Sequence, residues 1–197
     1  MRLFVFVLIL IVPGVALADE ARLYAWSSAS GGYRPEGPAL GGQAQLAASY
    51  KLWCFLEPEV IVGTGAYIGT NEYLQRFSFG TRLLLPNLGV TPFVWLALSH
   101  VHEAPLVGLI EEPIGTVLSM SDVGVRHRTG GEAGLGVLVP FEIDDDDAIV
   151  PRVELMVRGT AIYLPGFGVA GGDHTTPSHL YLLGEIGIGV PVSLPEL

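Results

Sequence analysis

The sequence predicts an all-β chain, a single antiparallel eight-stranded transmembrane β-barrel with a filled polar lumen and a short helix in its third long loop. Three observations predict it. The chain is hydrophobic without a spanning helix, eight of its segments read as strands and several of these alternate with period two, and the polar face of those segments is small and carries charges of both signs. Hydrophobic residues make up 50% of the chain and charged residues 15%, against about 25% charged in an ordinary soluble domain. Beyond the first twenty residues no segment approaches the roughly 20 consecutive apolar residues that a spanning helix needs. Inside a bilayer every backbone polar group must be satisfied by the protein, which leaves helices and closed barrels as the spanning structures.

The first residues read as a leader. Met1-Arg2 is followed by an apolar run from Leu3 to Val12, a Pro13-Gly14 break and Ala16-Leu17-Ala18. One positive charge, a short apolar core and a small-x-small site form a secretory signal. The expected division is a cleaved signal at 1–18 and one barrel domain at 19–197. No Cys follows the cleavage site, so a lipoprotein is not expected. The lone Cys54 has no internal disulfide partner. A net charge of -10 argues against nucleic acid, which needs basic patches.

The eight expected strands are Arg22–Ser30, Leu40–Trp53, Glu59–Thr70, Tyr73–Leu85, Val90–Val101, Arg128–Phe141, Val150–Leu164 and His179–Leu194. Alternation is the signature of a strand with two unlike faces. In the second, Leu40, Ala44, Leu46, Ala48, Tyr50 and Leu52 oppose Gln43, Gln45, Ser49 and Lys51. In the fourth, Tyr73, Phe77, Phe79, Leu83 and Leu85 oppose Arg76, Ser78, Gly80 and Arg82. The last two strands repeat the pattern, with Leu155, Val157, Ile186 and Ile188 opposite Glu154, Arg158 and Glu185. The connections Cys54–Pro58, Pro86–Gly89 and Glu142–Ile149 are short. The segment Val101–His127 is the longest, and Pro165–Ser178 is long and glycine-rich. Short turns at one end and longer loops at the other suit a barrel with both termini on one side. Asp144–Asp147 reads as a solvated turn. Glu111-Glu112-Pro113, followed by Ile114, Val117 and Leu118, reads as a helix start with its apolar face on the barrel rim.

Periodicity alone does not say which face is outside. The polar face is rich in Gly, Ser and Thr, which suits a narrow lumen filled by side chains. Its charges are mixed: Lys51, Arg76, Arg82, Arg152 and Arg158 against Glu132, Glu154 and Glu185. A low-dielectric interior requires such pairing, and arginine's planar fork suits it. Lysine occurs once, at Lys51. A soluble barrel would carry abundant Lys and Glu on its outside.

These features resemble the small eight-stranded outer-membrane barrels, the class that includes the OmpA-like and OmpX-like proteins. The resemblance is architectural and covers nearly all of the chain after the leader. Gly89-Val90-Thr91-Pro92-Phe93-Val94 resembles the strand openings of that class. Glu185, Gly187, Val190 and Val192 are similar to the C-terminal signal read by barrel-assembly machinery, although the chain ends Leu194-Pro195-Glu196-Leu197 where such barrels end on an aromatic residue. The resemblance implies outer-membrane lipid and the assembly machinery as partners in a Gram-negative envelope. It also implies a structural, adhesive or surface-binding role with no cofactor.

The most chemical-looking stretch is Ser99-His100-Val101-His102-Glu103, with Arg126-His127-Arg128 across the long loop. His100 and His102 share a strand face and, with Glu103 or His127, form a candidate zinc ligand set. No HExxH spacing or Cys partner accompanies them, so the expectation is hydrogen-bonded rim histidines without a metal. His174 and His179 receive the same reading. Ser99 or Ser119, with a histidine and Glu103, sketches a hydrolytic triad. Outer-membrane lipid A deacylases are small barrels with a His/Ser/Glu set, but their His-x-Ser-Asn pattern is absent. A lipid-modifying hydrolase is the alternative function, and a secreted lipocalin-like carrier with an apolar interior is the third.

Overall fold

In a computed structural model the chain forms a closed barrel of eight antiparallel strands. The structure describes residues 22–34, 39–52, 55–85, 89–117, 125–142, 152–168 and 175–192. The leader, Cys54, Asp144–Asp147, Ser119, His174 and the C-terminal Leu194–Leu197 lie outside the described residues. The strands are β1 (Arg22–Arg34), β2 (Ala39–Lys51), β3 (Leu56–Ile68), β4 (Glu72–Leu84), β5 (Thr91–Pro105), β6 (Arg126–Glu142), β7 (Arg152–Leu164) and β10 (His179–Val192). A small hairpin, β8 (Phe167–Gly168) and β9 (Thr175–Thr176), stands between β7 and β10. Each strand pairs with its neighbour in the chain, and β1 closes on β10 through a register running from Leu23↔Val192 to Tyr33↔Leu182. Closure leaves no unpaired edge for a bilayer to face.

All eight expected strands are present, with shifted ends. Gly31–Arg34 extends β1, His102–Pro105 extends β5, and Arg126–His127 belong to β6 rather than to the long loop. Leu56–Pro58, assigned to the short connection before the third strand, opens β3. Proline cannot donate to the ladder. Pro58, Pro92, Pro140 and Pro191 all sit near the strand ends on the side of the termini. At the opposite end β3 turns into β4 through Gly69–Asn71. Gly69 (φ 107°) and Asn71 (φ 55°) take the left-handed conformation that so short a connection requires.

The expected helix is two short turns, α1 (Gly108–Glu111) and α2 (Pro113–Val117). The break falls at Glu112, whose extended φ of -137° follows from its position before a proline. The apolar side chains do not pack on the rim as expected: Ile110 is 83% and Ile114 75% exposed, while the buried residues are Gly108 and Thr116. Two broken turns are too short to present one continuous face to the barrel.

Alternation sorts the walls. Outside stand Leu46, Val60, Phe79, Leu98, Leu135 and Ile186, all exposed. Inside lie two apolar layers separated by charge. One, towards the termini, contains Tyr24, Trp26, Ile61, Leu84, Phe93, Trp95, Leu138 and Met156. The other, towards the long loops, contains Tyr67, Leu74, Val101, Ile162, Leu164, Tyr181 and Leu183. Glycine makes room for the large rings. A Cβ on Gly189 would strike the Trp26 indole, and one on Gly136 would strike Phe93.

Reversing the polarity of the outer wall tests this placement. Leu155→Arg and Ile186→Arg, each placed near mid-wall, are expected to lose about 2–4 kcal/mol of stability in phospholipid vesicles. Wild-type urea midpoints for both variants would show that the two faces have been exchanged.

Candidate functional site

The middle of the lumen is a lattice of buried ions. Arg76 and Arg82 have no exposed surface, and Arg128 and Arg158 have 1% each. Two of the pairs are written into the register, since Glu57↔Arg82 and Glu185↔Arg158 are direct cross-strand partners. Glu59 reaches across the barrel. It is paired with Arg82, which also donates from Nε to its Oε2 (3.2 Å), and it accepts from Arg158 Nη1 at 3.0 Å. Arg158 grips Glu185 with a second edge, Nη2 lying 2.9 and 2.8 Å from the two carboxylate oxygens. Arg82 Nη1 donates to Glu57 at 2.9 Å, and Glu57 also accepts from Ser49.

A second knot surrounds Glu132. Arg76 pairs with it through both Nε (2.7 Å) and Nη2. Ser78 donates at 2.6 Å and the Trp95 indole N–H at 3.1 Å. The guanidinium faces are covered as well: Arg82 stacks 4.2 Å from the Trp26 ring and Arg158 4.9 Å from Trp95. Such contacts strengthen as water is excluded.

The third knot closes the end near the long loops. Glu103, fully buried, accepts from Tyr181 (2.7 Å) and His179 Nδ1 (2.8 Å), and pairs with Arg128 at 3.4 Å. Arg34 Nη2 stands 2.8 Å from His179 Nε2. A guanidinium only donates, so Nε2 accepts and the proton of His179 lies on Nδ1, towards Glu103. Arg34 also pairs with Glu72, which accepts from Arg126 at 2.8 Å. Arg128 donates to the carbonyls of Leu164 (3.1 Å) and Pro177 (2.6 Å), tying down both ends of the β7–β10 connection.

Of the residues assigned to an interior network from sequence, Arg76, Arg82, Glu132, Glu154, Arg158 and Glu185 are buried in the lumen. Glu154 accepts from the Tyr24 hydroxyl at 3.3 Å. Lys51 ends β2 at the rim, half-buried, and stands outside the group of buried lumen charges. The side chain of Arg152 is outside the described set. Glu57, Glu59, Glu103, Arg34 and Arg128 were not assigned to this network. Parity would have found Glu59 and Glu57, which share a face with Ile61 and Gly63. It would also have found Glu103, in step with Trp95 and Ser99.

The same parity separates the remaining candidates. Ser99 and Glu103 face the lumen, and Ser99 lies 3.3 Å from the Ser78 hydroxyl. His100, His102 and His127 are on the outer face of β5 and β6, where His102↔His127 are register partners. The barrel wall therefore stands between Ser99 and these three histidines, and His179, the lumen histidine beside Glu103, turns its other ring nitrogen to Arg34 rather than to Ser99, so among the described residues no Ser99–histidine–Glu103 triad is assembled. Glu103 is likewise excluded from the histidine ligand set. The three imidazoles do meet: one ring nitrogen of each lies within 4.8 Å of the others. The ring centroids are 4.7 Å apart for His100–His102 and 4.4 Å for His102–His127. Gln75 Oε1 sits 3.3 Å from His102 Nδ1, and the Phe77 ring lies 5.6 Å from His102.

The bridging acid is the sensitive point of the lumen. Glu59→Gln leaves Arg82 and Arg158 sharing too little negative charge, and is expected to cost about 3–5 kcal/mol in detergent-folded protein. Urea unfolding followed by tryptophan fluorescence measures it, and an unchanged midpoint would show that these ions are hydrated rather than paired.

The chain matches no protein-family model and no curated protein. Its fold has close parallels among solved structures. Neisserial surface protein A superposes with a TM-score of 0.53 at 13% identity, covering 87% of this chain and 97% of that one. The N-terminal β-barrel domain of Pseudomonas aeruginosa OprF gives 0.52 at 13% identity, covering 88% and 100%. Both are small eight-stranded outer-membrane barrels, and this chain has their fold.

Proposed function

We propose that this protein is exported with a cleaved leader and inserted by barrel-assembly machinery into the outer membrane of a Gram-negative bacterium. There it serves as a sealed barrel with a structural or surface-binding role. The observation that carries the reading is the filled lumen. Arg76, Arg82, Ile61 and Trp95, on β3, β4 and β5, have no exposed surface. The guanidinium groups of Arg76 and Arg82 and the Trp95 indole are hydrogen-bonded to Glu132, Glu57 and Glu59, and Arg158 joins Glu59 across the barrel, so side chains rather than water fill this level of the lumen. An open pore instead keeps its lumen charges hydrated.

The outer wall supports the membrane assignment. Large apolar side chains are exposed on β2 to β7 and on β10, while the outward residues in the middle of β1 are the small Ala25, Ser27 and Ala29; this is far beyond the isolated apolar patches of a soluble monomer. With the interior closed, function falls to the surface, above all to the loop end that carries α1, α2 and the β8–β9 hairpin.

Conductance tests the reading. Purified protein reconstituted into planar bilayers is expected to give no stable, large open channel. The same protein should fractionate with membranes and change gel mobility on boiling. A sustained open conductance would overturn the sealed-lumen role, and recovery in the soluble fraction would overturn the membrane assignment.

A further inference from the structure

We propose that His100, His102 and His127 form a transition-metal site of the zinc class on the outer wall of the barrel, independent of the lumen. The sequence pattern alone did not favour it, since no metal motif links residues in β5 and β6. The sheet makes the link. His100 and His102 are two apart on one strand and so share a face, and the register sets His127 directly opposite His102. Three imidazoles reach one point in this way without any loop having to order.

The geometry suits zinc. With Zn–N bonds of about 2.0–2.1 Å, tetrahedral ligands have their nitrogens roughly 3.4 Å apart. The three ring nitrogens here lie within 4.8 Å of one another. Small side-chain rotations close the difference. Gln75 supplies the outer support usual for a ligating histidine. Its Oε1 lies 3.3 Å from His102 Nδ1, placed to accept a proton from that nitrogen and to orient the ring. Phe77 walls the other side of that ring.

Three neutral nitrogens with a fourth position open are the ligand count of sites that bind a water or an exogenous ligand. All-nitrogen donors also discriminate against magnesium and calcium, which prefer oxygen. The location sets access. The apolar wall of β5 ends at Leu98, and His100 and His102 continue the same face towards the long loops. His127 is exposed. An ion can enter from the solution side without crossing the lumen.

The test uses the full barrel, without an affinity tag, folded in detergent and stripped with a chelator. Zn2+ is titrated calorimetrically, and Co2+ binding is followed by its visible ligand-field bands. One ion per chain is expected, with the intense bands of a four-coordinate site. His127→Ala and the His100→Ala/His102→Ala double change should abolish saturable binding, while Gln75→Leu should weaken it about ten- to a hundredfold. Boiling-dependent gel mobility verifies that each variant is folded, with His127→Gln as a substitute should His127→Ala fail to fold. Zn2+ should raise the thermal midpoint of the parent protein but not that of the ligand variants. Absence of one-to-one Zn2+ binding by the parent, or binding that survives loss of His127, would overturn the proposal.

Discussion

Glu59 stands where arginines from two sides of the barrel meet, and the interior is arranged around that meeting. An ion removed from water costs several kcal/mol unless counter-charge and hydrogen bonds replace the solvent. Arg82 and Arg158 both satisfy this requirement at Glu59, and each takes a second acid, Glu57 and Glu185 respectively. The demand explains why arginine is used, since its fork can serve two carboxylates at once. It also explains the aromatic layer beside the charges. Trp26 and Trp95 cover guanidinium faces and still direct their indole N–H groups to Ser49 and Glu132. Gly189 and Gly136 are the empty places into which Trp26 and Phe93 fit.

Much of this was legible in the order of residues. All eight strands were read from the sequence, and period-two alternation gave the correct outward face of β2, β4, β7 and β10, because polar or small residues such as Gln45, Arg76, Ser78, Arg158, Glu185 and Gly187 mark the lumen side in the middle of these strands. The reading blurred in β1 and β5, whose lumen sides carry Tyr24, Trp26, Phe93 and Trp95. Large aromatic residues on the lumen face erase the apolar-against-polar contrast on which alternation depends. The connection assigned at Cys54–Pro58 covered the start of β3 and hid Glu57 with it, whereas Glu59 already lay within the expected strand. The pairing of charges was not legible, because Arg158 and Glu59 are brought together by closure of the sheet and not by any local spacing. For the same reason the convergence of His127 on His100 and His102 needed the register.

The stretch Ser99–Glu103 shows how completely a thin wall partitions chemistry. Five consecutive residues alternate between two environments. Ser99, Val101 and Glu103 join the lumen, with Glu103 held by Tyr181, His179 and Arg128. His100 and His102 join the outside. Residues adjacent in sequence are therefore poor partners, whereas His102 and His127, on different strands, are close ones. A motif that reads as one constellation along the chain resolves into two sites on opposite sides of a sheet.

The lattice also bears on how the barrel comes to exist. Its members are contributed by every one of the eight strands, from Tyr24 on β1 to Glu185 on β10, and some of its bonds span the barrel, as between Arg158 and Glu59. A partly zipped sheet, still open between β1 and β10, would hold those cations and acids apart on one unshielded surface. Such an intermediate gains hydrogen bonds and its adjacent-strand ion pairs as strands zip, but receives the part of its electrostatic reward that spans the barrel, as between Arg158 and Glu59, only on closure. Closure of the sheet should consequently be abrupt, with few long-lived forms open along the seam between β1 and β10.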